Sequence, residues 1–350
     1  LFKLPAFIAT MMENKWLGSK TKQGFYKKEG KTINALDLNT LEYKEAKKVK
    51  FDTLELTKKI EKPIDRFAVL ITGKDKAGEF YRKNFAAMFA YCQNRIPEIT
   101  DAFYKIDDAM KAGFGWENGP FEIWDAVGLE KGIELMKAEG YDVAQWVMDM
   151  QASGQKSFYQ VKEGLTYFYS IEKKAIEKIP GQDAFIVLNN IRESKKVWNN
   201  SETIITDIGD GILNLEFTSK MNSIGAGVLQ GINKGIDLAE SQYNGLVIGN
   251  QDANFSVGAN LGMIFMMAVE QEYDELNYAI KMFQDTMMRL RYSATPVIAA
   301  PHGMTLGGGC ELTMHADRAV VAAETYIGLV EFGVGVIPGG GGSKEMALRA

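Results

Sequence analysis

The apolar pattern changes character near residue 200. Up to about Asn200 the chain is charged, lysine-rich and helical in period, and helices are predicted over Phe80–Arg95, Ile99–Ala112 and Val161–Lys178. One stretch there is punctuated clearly. A helix is predicted to stop at Gly113, and a turn to run to Gly119. Pro120 then suits the first turn of a new helix, closed by Gly128. Phe114, Trp116, Phe121 and Trp124 are expected to bury against neighbouring helices. Beyond residue 200 the apolar runs shorten to strand length. Ile204–Ile208 and Ile212–Leu215 flank Gly209-Asp210-Gly211, which predicts a hairpin. Leu246-Val247-Ile248 and Pro296–Ala300 read as further strands, each feeding a turn.

The turn after the second of these carries the candidate chemistry. Gly307-Gly308-Gly309 runs directly into Cys310-Glu311-Leu312, a helix-compatible stretch. Without Cβ atoms, backbone N–H groups can approach a ligand closely, and a helix N-terminus favours developing negative charge. An oxyanion hole needs that geometry, with Glu311 beside it as acid or base. Three glycines alone also make a flexible turn, so the surroundings matter. Upstream, the strand run ending at Ile248 leads through Asn254-Phe255-Ser256-Val257-Gly258-Ala259-Asn260-Leu261. Downstream, Glu331 sits among glycines and is followed by Ile337-Pro338-Gly339-Gly340-Gly341-Gly342.

These three segments, in this order, resemble the crotonase (enoyl-CoA hydratase/isomerase) superfamily from about Ser201 onward. The resemblance implies an α/β crotonase-like domain of spiral ββα form. It implies that the N–H groups of Ser256 and Gly308 hold the thioester oxygen of an acyl-CoA. Glu311 and Glu331 would share one water and add it across a trans-2-enoyl-CoA. Two carboxylates around one water repel, so one should have a raised pKa. Lys220, Ser223, Asn254, Asn260, Leu261, Gly307 and Val330 fall where the resemblance implies substrate or CoA contacts. Asn260 stands where the family usually has Asp, and Val330 where it usually has Pro. The Leu261–Arg291 insertion is rich in methionine (Met263, Met266, Met267, Met282, Met287, Met288), either a helical core stripe or an adaptable acyl pocket.

The earlier part has its own resemblance. The Ala109–Gly128 segment resembles the C-terminal helical domain of 3-hydroxyacyl-CoA dehydrogenases, and Leu17–Tyr26 the close of a preceding copy. Helical lobes followed by a crotonase domain resemble bifunctional β-oxidation proteins. The resemblance therefore implies an end of a first lobe plus linker over 1–62, a second all-α lobe over 63–200, and an incomplete crotonase-like domain over 201–350. No Gly-x-Gly-x-x-Gly follows a strand, so NAD is expected to bind the parent protein through a domain outside this sequence. The hydratase part is expected to need no cofactor. Lacking an initiating Met and stopping soon after the glycine run, the sequence is expected to be a fragment truncated at its C-terminus. The missing helices would complete the acyl pocket and help a homo-oligomer assemble.

Composition narrows the alternatives. Hydrophobic residues make up 46% and the formal net charge is −5, with a pI near 5.4, which argues against a nucleic-acid partner. Lys44-Glu45-Ala46-Lys47-Lys48 reads as a solvated face. Cys92 and Cys310 lie far apart and suit a reducing compartment without disulfides, so a cytoplasmic location is expected. No run reaches membrane-spanning length. His302 and His315 lack ligand spacing, so no metal is expected. A serine hydrolase would use Ser256 with His302 as base, although position 254 is Asn rather than Gly. An enoyl-CoA isomerase, or a non-catalytic acyl-CoA-binding scaffold, remains the other reading of the same motifs.

Overall fold

The computed structural model describes residues 4–46, 49–60 and 62–350. Lys47 and Lys48 of the expected solvated lysine cluster lie outside the described residues. Lys44, within them, pairs at the surface with Asp37 at 2.9 Å. The chain divides into two compact units, Leu1–Phe158 and Tyr159–Ala350.

The first unit is mainly helical, with Lys76–Asn94, Tyr104–Phe114, Pro120–Val127, Leu129–Ala138 and Gln145–Ala152 as its principal helices. A three-stranded antiparallel sheet, Tyr26–Glu29, Thr32–Leu36 and Tyr43–Glu45, departs from the expected all-α character. The punctuation read from the sequence largely holds. Pro120 opens a helix and Gly128, at φ 99°, ends it. The preceding helix stops two residues later than expected, because Gly115 rather than Gly113 takes the left-handed conformation, at φ 65°. A carboxylate from that preceding helix caps the new one. Asp107 accepts from the N–H groups of Phe121 at 2.9 Å and Glu122 at 3.0 Å. Phe121 and Trp124 are fully buried, whereas Phe114 is 76% exposed and Trp116 39%, which corrects the expectation that all four would bury. The helix end carries Phe114 beyond the aromatic core, in which Phe89 stacks on Trp124 at 4.7 Å and Phe121 meets Phe158 at 5.1 Å.

The second unit opens with a correction. The helix expected over Val161–Lys178 is a three-stranded antiparallel sheet, Tyr159–Lys162, Leu165–Ser170 and Ala175–Lys178. Glu163, Gly164 and Lys174 take positive φ and turn the chain back. The run Leu165-Thr166-Tyr167-Phe168-Tyr169 is aromatic and β-branched, which suits a pleated surface better than a helix. These strands group with the second unit.

Its main sheet has six strands in the order Arg318–Ala319, Val297–Ala299, Gly245–Ile248, Ile212–Phe217, Thr203–Gly209, Lys196–Asn199. The first four pair in parallel and the last two antiparallel. The expected hairpin is present, and its turn needs left-handed backbone at Gly209, Asp210 and Gly211. Leu213, Leu215, Leu246, Ile248, Val297 and Ala299 bury against Val228, Ile232 and Ile236 of the Ala226–Gln242 helix. Met287 and Leu290 of the Tyr273–Arg291 helix join the same core. A core-stripe role thus holds for Met287. It does not hold for the Leu261–Val269 helix, which has no buried residue. A second, two-stranded parallel sheet pairs Met304–Leu306 with Tyr326–Gly328 and leads into the glycine turn.

Candidate active site

The strand Met304–Leu306 ends at Gly307, whose φ of 52° and ψ of −119° only glycine adopts readily. The helix Gly308–His315 starts at once, and the N–H of Gly308, its first residue, has no carbonyl a turn earlier to bond. Space there is reserved for backbone. A Cβ on Gly308 would lie 3.1 Å from Phe283 Cζ and 3.5 Å from Ala259 N. Gly258, at φ 85°, brings that second strip of backbone alongside, since a Cβ on it would lie 2.8 Å from Gly308 N.

Ser256 does not take the place expected for it. Its N–H donates to the Met304 carbonyl at 3.2 Å, inside a parallel bridge with Thr305. A donor already used to join the two loops is not available to an oxyanion. Its hydroxyl is equally committed, donating to the Asn222 carbonyl at 2.7 Å and accepting from Gly258 N–H at 3.1 Å. The backbone nitrogen beside Gly308 is that of Ala259, 3.5 Å from where a Cβ on Gly308 would lie, and its N–H donates to no atom of the described residues. In the sequence Ala259 is one small residue of the Phe255–Asn260 segment, with no mark of its own. The signal available was Gly258, because a left-handed glycine redirects the N–H groups that follow it.

The two carboxylates come together around the same turn. Glu311 is 2% exposed, and its Oε1 accepts from the N–H groups of Gly340 and Gly342, both at 2.8 Å. Burial pushes its carboxyl above the ordinary range, and the charge of Glu331 adds to the push; the two glycine N–H groups oppose it. A Cβ on Gly307 would lie 3.1 Å from Glu331 Oε1. Glu331 opens the short helical turn Glu331–Val334, and its buried Oε2 has no hydrogen-bond partner among the described residues. The glycine run 339–342, noticed in the sequence as a motif, therefore has a definite task at two of its members. They hold Glu311.

The other expected site residues divide by role. Asn254 Oδ1 accepts from Met304 N–H at 2.9 Å, so its side chain fixes the strand before the glycine turn. Asn260 caps the Leu261–Val269 helix, accepting from Gly262 and Met263 N–H, and Leu261 is 45% exposed on that helix. Gly307 donates its N–H to Gly328 at 2.9 Å, and Val330 immediately precedes Glu331 at 39% exposure. Lys220 and Ser223 bracket a tight turn, and the Ile224 N–H that follows bonds the Gly258 carbonyl at 2.8 Å. That bond sets the Lys220–Ile224 segment beside the Ala259 N–H. His302 turns Nε2 onto the Asp252 carbonyl at 2.8 Å, so neither half of a Ser256–His302 couple is free to act. Among the described residues no cluster of histidine, cysteine and carboxylate suits a metal, and no helix is long and apolar enough to cross a membrane.

The chain is similar to several known proteins. Residues 207–349 match the family described as "Enoyl-CoA hydratase/isomerase". Over 350 residues the chain is 44% identical to the "Probable 3-hydroxyacyl-CoA dehydrogenase" of Bacillus subtilis (strain 168), covering 100% of this chain and 44% of that protein. It is 30% identical to the "Putative fatty acid oxidation complex trifunctional enzyme" of Rickettsia felis, covering 97% of this chain and 43% of that protein. The chain thus spans less than half the length of these relatives. A crystal structure of an enoyl-CoA hydratase from Polaromonas sp. JS666 aligns with 42% of this chain and 58% of its own, at 25% identity and a TM-score of 0.40. The C-terminal part of the chain is a crotonase-like domain, preceded by a largely helical region, in a sequence that resembles 3-hydroxyacyl-CoA dehydrogenase and fatty-acid oxidation proteins along its whole length.

Proposed function

We propose that this domain hydrates trans-2-enoyl-CoA to 3-hydroxyacyl-CoA as a step of fatty-acid β-oxidation. The observation that carries the reading is the pairing of two unlike carboxylates beside a glycine helix start. Glu311 is buried and held by two N–H donors, while Glu331 keeps a buried oxygen without a hydrogen-bond partner among the described residues. In this reading the N–H groups of Ala259 and Gly308 bind the thioester oxygen and stabilise the enolate charge that develops there. Donors of this kind contribute about 3 kcal/mol each to lowering a barrier. Glu311 and Glu331 hold one water between them. One O–H bond of that water breaks, its hydroxyl joins Cβ, and a proton joins Cα on the same face. The thioester carbonyl is restored as the enolate collapses, so atoms and charge balance and no cofactor is consumed.

The similarity to dehydrogenase-named and trifunctional relatives supports a longer protein in which NAD-dependent oxidation of the 3-hydroxyacyl-CoA product follows. In that protein the N-terminal helical unit belongs to the dehydrogenase part, and the NAD site lies on residues outside this chain. The test is hydration of crotonyl-CoA by the full-length protein and by its Glu311→Gln and Glu331→Gln variants. Loss of hydration in both supports the two-carboxylate reading. An undiminished rate in either variant, or double-bond migration without hydration, overturns it.

A further inference from the structure

Behind Glu311 lies a buried charged cluster that the hydration chemistry does not use. His315 follows Glu311 by one turn of the Gly308–His315 helix, and such residues share a face. Its Nδ1 is 2.7 Å from the Glu311 carbonyl oxygen and donates to it. The ring is 2% exposed and its opposite edge rests on Gly341, where a Cβ would lie 3.7 Å from Cε1 and Nε2. Gly341 stands between the two glycines whose N–H groups hold the Glu311 carboxylate. His315 Nε2 packs 3.6 Å from Glu345 Oε1 without a hydrogen bond, and Glu345 is fully buried on the Gly342–Arg349 helix, whose first residue is one of those two glycines.

Cations close the cluster from two helices. Arg291, the last residue of the Tyr273–Arg291 helix, pairs with Glu345 Oε2 and also donates to the Met314 carbonyl at 3.3 Å. From the helix of Glu345 itself, Lys344 Nζ lies 2.9 Å from Oε1 and Arg349 3.5 Å from Oε2. Burial pushes the Glu345 carboxyl up, but Lys344, His315 and Arg291 outweigh it and hold the group below the ordinary range. Burial in turn holds the His315 imidazole below its usual range, helped by Arg291 and Lys344 and opposed by the Glu311 carbonyl and Glu345. Burying such charges carries a large desolvation cost, and well-packed apolar residues would fill the same space at least as stably. What the cluster supplies is fixed geometry between three helices.

We propose that His315, Glu345 and Arg291 are positioning residues for Glu311: they clamp the start of the Gly342–Arg349 helix so that Gly340 and Gly342 stay hydrogen-bonded to its carboxylate. This inference rests on the reading of Glu311 as a reacting carboxylate. It has a signature that a merely stabilising cluster lacks. The two N–H groups favour ionised Glu311 against burial and against Glu331, the charged group that faces it; the Cys310 thiol adjoins it on the same helix. Slackening the clasp therefore raises the Glu311 pKa.

The experiment compares the full-length protein with Glu345→Gln, His315→Asn, Arg291→Lys and Arg291→Met, with Glu311→Gln as reference. It measures kcat and KM for crotonyl-CoA, the pH profile of kcat/KM, and circular dichroism. Glu345→Gln and His315→Asn should lower kcat about tenfold or more, as small misplacements of a reacting group do, at near-constant KM. The pH limb governed by Glu311 should move to higher pH, and Arg291→Lys should retain more activity than Arg291→Met. If Glu345→Gln does not fold, His315→Asn decides, because it leaves the Arg291–Glu345 pair intact. Folded variants with parental kcat and an unmoved limb overturn the inference while Glu311→Gln stays inactive. Parental hydration by Glu311→Gln would instead overturn the catalytic reading itself.

Discussion

The N–H of Ser256 donates to the carbonyl of Met304 across 3.2 Å. This bond ties the Phe255–Ala259 segment to the strand that leads into the glycine turn, and it commits the Ser256 N–H within the protein. Ser256 is a strut, and the Ala259 nitrogen lies beside the start of the Gly308–His315 helix.

A strut and a donor fail differently. Ser256→Ala removes a hydroxyl that makes two buried hydrogen bonds and should cost about 1–3 kcal/mol of stability, with turnover largely kept. Gly308→Val places a Cβ 3.1 Å from Phe283 and 3.5 Å from Ala259 N, and should lower kcat by roughly 10²–10³, the cost of losing one oxyanion donor. Urea titration beside crotonyl-CoA kinetics separates the two. Severe loss of turnover in a folded Ser256→Ala would point back to a serine nucleophile.

Glu311 sets activity against stability. Folding raises its pKa, mainly by burial. A raised carboxyl adds stability at pH below its unfolded value, and that contribution is lost as pH rises through the folded value. Gln keeps an oxygen for the Gly340 and Gly342 donors without the charge. Glu311→Gln should therefore melt above the parent at pH 8, with a gap that narrows towards pH 4, while hydration is lost. Melting curves across that range check the sign; a gap that widens on acidification would contradict it.

The sequence was legible where local chemistry decides. The Gly209-Asp210-Gly211 turn, Pro120 at a helix start, and Gly307–Gly309 opening a helix beside Glu311 all depend on residues adjacent in the chain. It was less legible where the outcome is tertiary. Val161–Lys178 is aromatic and β-branched enough to suit a sheet, but the turns that fold it back, with Glu163, Gly164 and Lys174 at positive φ, appear only in the folded chain. The choice between Ser256 and Ala259 depends on which N–H the Met304 carbonyl takes, a contact across almost fifty residues. The holding of Glu311 by Gly340 and Gly342 is likewise a long-range match, invisible in a glycine count.

In the helical unit, Asp107 and Gly119 should prove mutually dependent. Asp107 caps a helix other than its own, and a Cβ on Gly119 would lie 2.3 Å from the Asp107 Cβ. Asp107→Ala should cost about 2 kcal/mol, as loss of a buried charged cap does. Gly119→Ala should cost more, because the Asp107 backbone would have to shift as well. Urea unfolding of the two single variants and the double variant tests this. Independent, additive effects would show that they do not share one contact.

The two cysteines give a test of how tightly the Gly308–His315 helix is packed. Burial, with the charge of Asp107 behind it, pushes the Cys92 thiol up to about 12. Burial, with Glu331 and Glu311, pushes Cys310 up to about 11, although it directly precedes Glu311. Only the thiolate is nucleophilic, so at pH 8 neither should react with a maleimide at an appreciable rate. On the proposed reading, the native full-length protein should keep its rate of crotonyl-CoA hydration through such treatment, and both thiols should label after urea unfolding. Rapid labelling of Cys310 in the native state, with parallel loss of turnover, would mean that the Gly308–His315 helix opens to solvent. The buried clasp on Glu311 would then be a transient arrangement rather than a fixed one.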